Sequence, residues 1–208
     1  PKPQNPRFMK FINKLCFSIF LINNFKNLEI SRGVYELVLN GKANNKAQII
    51  LNPDESDVYL EFKSSRLTGN KTAPKSRENT AWFKYLKLEN RNNSEIKNLR
   101  KGLKDSPYRT RIEGQIKGKE LDFVQAQHEM IDTYAGTYFA KLISWKNPMY
   151  PNSQGKYFDD IDPLDNSIIH TMAISDRIQG MMVKFSKGED SGFLACIDII
   201  KAHFEPNP

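Results

Sequence analysis

Apolar and polar positions change rhythm several times along the 208 residues. Phe8, Ile12, Leu15, Ile19 and Ile22 recur at helical spacing, yet Leu15, Phe17, Ile19 and Leu21 also alternate as a strand does. Both readings stay open there, the helix favoured. From Val34 onward the rhythm is two-residue: stretches 34–39 and 48–51 flank a loop beginning Asn40-Gly41, and 57–63 follows Asn52-Pro53-Asp54. In the last of these Val58, Leu60 and Phe62 share one face while Tyr59, Glu61 and Lys63 share the other, which predicts an antiparallel meander.

Residues 64–80 lose all apolar period and gather Ser, Thr, Asn, Gly and Lys, so a long loop is expected. Stretch 81–88 returns to β character around Trp82, Phe83 and Tyr85. Ile96, Leu99 and Leu103 make one stripe of a short amphipathic helix over 94–104, with Lys101 and Lys104 near its C-terminal end. Residues 109–123 read as a hairpin turning at Lys117-Gly118-Lys119, although Leu121, Val124, His128, Ile131 and Tyr134 fit a helix ending near Gly136 equally well. Stretch 137–145 alternates as a strand before Pro148, Pro151 and Gly155 interrupt the chain, and 181–185 and 193–200 read as two strands joined by the polar turn 186–192. The expected fold is therefore β-rich α+β: an antiparallel barrel or sandwich with one to three short helices. An N-terminal arm and apolar segment (1–30) would precede a single domain (31–208) carrying a basic insertion at about 64–119.

Charge sharpens the picture. The 31 Lys and Arg exceed the 24 Asp and Glu by seven, and the excess is uneven. Residues 63–119 hold 16 basic against 5 acidic residues, a net +11, while 120–208 hold 7 against 13, a net −6. Such asymmetry points to an anionic partner for the middle of the chain, against the ordinary alternative of a solvated face. The two cysteines, Cys16 and Cys196, sit far apart in apolar runs, which suits small buried side chains and a reducing, intracellular setting. Lys10 and Lys14 precede the apolar run 15–22 in the manner of a signal peptide, but no small-residue cleavage site follows, and no run reaches the roughly 20 residues of a membrane span.

Little in the chain carries catalytic chemistry. Asp54, Glu61 and Lys63 echo the Asp and Glu-x-Lys set with which nucleases hold a divalent metal, and alternating charges on a half-exposed strand explain them as well. Asp159, Asp160, Asp162 and Asp165 supply oxygen ligands without the glycine of a calcium loop, and His128, His170 and His203 lack zinc-ligand spacing. Neither P-loop, dinucleotide glycine pattern nor Gly-x-Ser-x-Gly elbow occurs. No cofactor and no metal are expected.

What recurs is an aromatic ring beside a cation: Phe62-Lys63, Trp82-Phe83-Lys84-Tyr85, Tyr138-Phe139-Ala140-Lys141 with Trp145, and Lys184-Phe185. On a sheet face such pairs could stack bases and neutralise phosphates, each stacked base contributing about 1–3 kcal/mol. The competing reading puts these rings in the core.

GTYFAKLISW at 136–145, GMMVKFSKGEDSGFLACIDIIKAHFE at 180–205 and RGVYELVL at 32–39 resemble the strands of OB-fold single-stranded-DNA-binding proteins of tailed phages and large DNA viruses. The likeness is one of pattern over about 70 residues, and Glu205-Pro206-Asn207-Pro208 departs from it by lacking the acidic tail with which many of them contact replication partners. It implies a non-enzymatic binder of single-stranded DNA or RNA. Trp82, Tyr85, Tyr138 and Trp145 would stack, Lys63, Arg66, Lys71, Lys75, Arg77, Lys84, Lys141 and Lys184 would meet phosphate, and loop 64–80 would close over the strand. Replication or assembly proteins and a second copy are the further partners to consider. The alternatives are a structural subunit of a virion or ribonucleoprotein assembly, and the metal-dependent nuclease.

Overall fold

The protein's structure, a computed structural model, describes residues 19–20, 31–38, 44–55, 58–62, 66–103, 107–146, 156–165, 167, 171 and 173–204. The expectations for the proline arm, Cys16, Lys63, the Asn40-Gly41 loop, His170 and the Pro148–Gly155 break lie outside these residues, as does all of segment 8–22 except its strand at 19–20. Five short strands come first: Ile19–Phe20 (β1), Gly33–Val38 (β2), Lys46–Leu51 (β3), Glu61–Phe62 (β4) and Lys71–Thr72 (β5). The expected β2–β3 hairpin is present, in register from Gly33 opposite Leu51 to Val38 opposite Lys46. In β3, which begins two residues before the expected stretch 48–51, Ala47 and Ile49 are buried while Lys46 and Gln48 are exposed, the alternation of a strand with one face covered.

The meander is a misreading. Among the described residues of stretch 57–63 only Glu61 and Phe62 pair, and they pair with β1 on one side and β5 on the other, in a sheet separate from β2–β3. Among the described residues the sheets are one of three strands and one of two, with no barrel. Helices dominate instead: Arg77–Lys101 (α1), Arg109–Thr133 (α2), Tyr138–Lys146 (α3), Ala173–Phe185 (α4) and Asp190–Phe204 (α5). The β-rich, OB-like expectation is thereby overturned, and with it the strands placed at 81–88, 137–145, 181–185 and 193–200.

Local chemistry explains each reversal. Ser76 caps α1, its Oγ accepting from the Asn79 N–H at 3.0 Å, and Glu78 lies in the first turn with Arg100 and Lys101 in the last, so both helix ends meet favourable charge. The helix therefore starts inside the expected loop 64–80 and runs through the expected strand. The short helix at 94–104 is its C-terminal portion. Thr137 caps α3 in the same way, its Oγ1 accepting from the Ala140 N–H at 3.1 Å. In α2 the inward positions Ile112, Ile116, Phe123 and Gln127 keep a helical period straight through Gly114 and Gly118, which decides the open choice at 109–123. Of the turn expected at 186–192, residues 186–189 do turn, but they join two helices, and 190–192 already belong to α5. Lys187 and Gly188 take positive φ (51° and 77°), and a Cβ on Gly192 would stand 2.5 Å from the Ser186 carbonyl oxygen.

The chain divides into two compact units, Pro1–Lys84 and Tyr85–Pro208, the boundary falling inside α1. In the first, Asn79 replaces a missing strand. Its Oδ1 accepts from the Ile50 N–H (2.8 Å) and its Nδ2 donates to the Ile50 carbonyl (2.7 Å), completing the edge of β3 where Ile50 is fully buried. Glu55 accepts from Ser76 Oγ (2.7 Å) and the Glu78 N–H (3.0 Å), placing a carboxylate at the N-terminus of α1.

In the second unit the core is aromatic. Tyr85 packs against Phe123 and Phe139, Tyr134 meets Phe139 edge-on at 5.7 Å, and Tyr138 meets Trp145 at 6.3 Å. Arg177, 1% exposed, ties this core together. Its guanidinium donates to the carbonyls of Ser144, Trp145 and Tyr157 and pairs with Asp160, so it satisfies the open C-terminal end of α3 and fixes the 157–160 turn.

Candidate functional site

The four rings expected to stack bases are core residues. Trp82 is 7% exposed, Tyr85 0%, Tyr138 4% and Trp145 2%, so none offers a face to a ligand. The reason is the change of period: what alternates on a strand spirals on a helix, and these rings fall on the inward side of α1 and α3.

The expected cations are scattered. Lys71, on β5, lies 5.0 Å from the Phe83 ring, and burial pulls its pKa below the ordinary lysine value. Lys75 sits 5.8 Å from the Tyr59 ring. Arg66, Arg77 and Lys84 are exposed, the latter two on the first turns of α1. Lys141 pairs with Asp165 and lies 4.6 Å from the Trp145 ring, and Lys184 lies 5.4 Å from the Phe185 ring. Arg77 and Lys84 share α1, whereas Lys71, Lys141 and Lys184 lie on β5, α3 and α4, so the described cations form no common sheet face. The described part of the expected loop 64–80 holds β5 and the start of α1.

The nuclease alternative fares no better. Asp54 pairs with Arg32 in the turn after β3, and Glu61 accepts from Thr72 Oγ1 at 3.1 Å across β4–β5. Among the described residues no three His, Cys, Asp or Glu side chains converge in a way that could hold a metal ion. Nor is any helix there long and apolar enough to cross a membrane.

A different basic surface is present. Within the second unit α1 and α2 run antiparallel, joined by Tyr85–Phe123, by a 2.8 Å ion pair between Lys119 and Glu95 and by a 3.5 Å pair between Arg100 and Glu120. The carboxylates on this stretch of α1 are engaged. Glu89 accepts from Tyr85 (2.8 Å) and Lys146 (2.8 Å), and Glu95 bonds both Lys119 and Arg91, which hold its carboxyl below the ordinary glutamate range. Burial depresses the Lys146 pKa, but Glu89 and Asp176 outweigh it and leave the ammonium more basic than usual. Burial and then Glu89 push the Tyr85 hydroxyl well above the usual phenol range, so the group stays neutral.

Lys87, Arg91, Ser94, Asn98 and Lys101 recur on one exposed stripe of α1, at intervals of four, three, four and three residues, with Lys97 at its flank. Lys87, Lys97 and Lys101 have no salt bridge among the described residues, and the same holds for the exposed Arg111 and Lys117 of α2. With 81–88 read as a strand, the sequence does not display this stripe. The Ser76 and Glu78 cap signal, extended through 101 at 3.6 residues per turn, would have exposed it.

Comparison with protein-family models, with curated proteins and with solved structures finds no match for this chain.

Proposed function

We propose that the chain is a non-enzymatic binding module that holds nucleic acid through its phosphate backbone, using the basic outer stripe of α1. The observation that carries this reading is the sorting of charge on α1. Its carboxylates at 89 and 95 are engaged by Tyr85, Lys146, Lys119 and Arg91, while Lys87, Lys97 and Lys101 point outward without ion-pair partners among the described residues. Ser94 and Asn98 between them add neutral donors of the kind that meet phosphate oxygens. With Trp82, Tyr85, Tyr138 and Trp145 buried, these rings do not stack bases, and contact through the stripe is electrostatic and indifferent to base identity.

Fluorescence-anisotropy titration of a labelled oligothymidine, with a duplex of equal length as competitor, tests it. With about four phosphates neutralised, the slope of log affinity against log salt is about −3, a roughly fiftyfold weakening between 50 and 200 mM salt. Replacing Lys87, Lys97 and Lys101 together with alanine should flatten that slope by about 2. Absence of binding at 50 mM salt would reduce the stripe to a solvated face and remove the proposal.

A further inference from the structure

A helix that is apolar nearly all round is ordinarily buried. Helix α5, DSGFLACIDIIKAHF, is apolar over most of its circumference apart from a side holding Asp190, Ser191, Asp198 and Lys201, yet Cys196 is its only fully buried residue. Leu194 is 60% exposed and Phe193 48%, and Val183 on α4 is 78% exposed. Asp190, Leu194, Ile197 and Lys201 follow one another at intervals of four, three and four residues and so form a single stripe, exposed except for the half-buried Ile197. The stripe has an acid at its start, a base at its end and two branched aliphatic side chains between them, with the exposed Asp198 at its edge, four residues beyond Leu194 and three before Lys201. Neither Asp190 nor Lys201 has a salt bridge among the described residues.

We infer that α5 is the two-fold contact of a homodimer, in which the same stripe of a second copy lies antiparallel along it. An isologous contact requires a surface complementary to itself, so that residue i meets j while j meets i. Reversed upon itself, this stripe sets Asp190 against the second copy's Lys201, Leu194 against its Ile197, and the same pairs again in the opposite sense. Asp190 and Lys201 are 11 residues apart, about 16 Å along the helix at 1.5 Å per residue, and both copies share that spacing. The two ion pairs therefore close together around the Leu194–Ile197 centre. A parallel pairing would set Asp190 on Asp190 and Lys201 on Lys201, so charge selects the antiparallel arrangement.

The helix dipole alone accounts for an acid in the first turn and a base in the last, but not for the two exposed aliphatic residues spaced between them on the same stripe. Phe193, just beside the stripe, widens the apolar contact. The contact involves α5 and not α1 or α2, and it stands independently of nucleic-acid binding.

Sedimentation velocity of the full chain, from tens of micromolar to about 1 mM, reads the association directly, a range suited to a weak, small interface. The wild-type mass should rise toward twice the chain mass. Leu194→Glu should hold it at one chain with an unchanged circular dichroism spectrum, because that side chain lies on the surface. Asp190→Lys and Lys201→Asp should each weaken association about tenfold or more, since each sets like charges opposite one another. The decisive sample is an equimolar mixture of those two variants. One copy then carries a positive charge at both positions and the other a negative charge at both, so each contact between 190 and 201 again joins opposite charges and association returns. A role confined to the helix dipole predicts no such return. A wild-type chain that stays monomeric throughout, an unaffected Leu194→Glu variant, or a mixture no tighter than its components would each overturn the inference.

Discussion

The two units close their interiors by different means. In Pro1–Lys84 the strands are two to six residues long and leave backbone edges open, so side chains finish the job: Asn79 stands in for a strand beside Ile50, Asn45 accepts from the Leu67 N–H at 2.6 Å, and Asn52 donates to the buried Glu78 at 2.9 Å. In Tyr85–Pro208 the helices satisfy their own backbones except at the ends, and polar groups are needed only there. Arg177 serves the end of α3, while rings fill the rest. Short strands demand polar partners along their length. Helices demand them at their termini.

The most severe way to break this contrast is to remove the cation at the α3 terminus. Arg177→Met should destabilise the second unit by about 3 kcal/mol or more, because three buried carbonyls lose their donor at once. Asp160, half exposed, returns to water at little cost. Arg177→Lys should recover only part of the loss, since a point charge cannot reach all the acceptors of the planar fork. Urea unfolding followed at Trp145 measures it, in a Trp82→Phe background so that the second unit alone is observed.

Asn79→Ala comes next. It leaves both the N–H and the carbonyl of Ile50 buried without their partner and should cost about 2 kcal/mol, read at Trp82 in a Trp145→Phe background. Should the Trp145 signal prove the more sensitive to Asn79→Ala, the contrast between the units would fail.

The smallest effect sharpens the comparison by pH. Burial tends to raise the Asp165 pKa, but the Lys141 and Ser167 hydrogen bonds outweigh it and draw it down from 3.8 to about 2. A folded-state pKa below the unfolded one contributes stability that is complete above the unfolded value and is lost as pH falls through the folded one. Acid titration of the second unit should therefore show a loss between about pH 4 and 2, of no more than about 1 kcal/mol for so superficial a pair. Asp165→Asn should remove that step and leave the rest of the profile in place.

How much of this was legible in the chain can be argued residue by residue. The β2–β3 hairpin was, because stretches 34–39 and 48–51 flank a loop beginning Asn40-Gly41, and the structure pairs Gly33–Val38 with Lys46–Leu51. The turn expected over 186–192 was legible in part, since residues 186–189 turn while Gly192 already lies in α5. The helix at 94–104 was glimpsed in Ile96 and Leu99, though not its first 17 residues, where Trp82, Phe83 and Tyr85 have strand-like composition. The basic bias of 63–119 was visible as a sum, whereas the stripe on α1 needed the helix first. The ring-and-cation pairs misled because adjacency in sequence fixes neither face nor exposure.

By itself, then, the sequence determined where its charge accumulates, that the chain turns after Leu51 and again after Phe185, and that stretches 34–39 and 48–51 belong to a hairpin. These are local matters of backbone preference and composition. Only the tertiary structure decided that FLACIDII and YFAKLISW are helices, that the tryptophans are core, and that Asn79 and Arg177 complete other elements' backbones. Short apolar runs satisfy both the two-residue and the 3.6-residue period, so their choice rests on which face finds a partner to bury against. That partner lies tens of residues away.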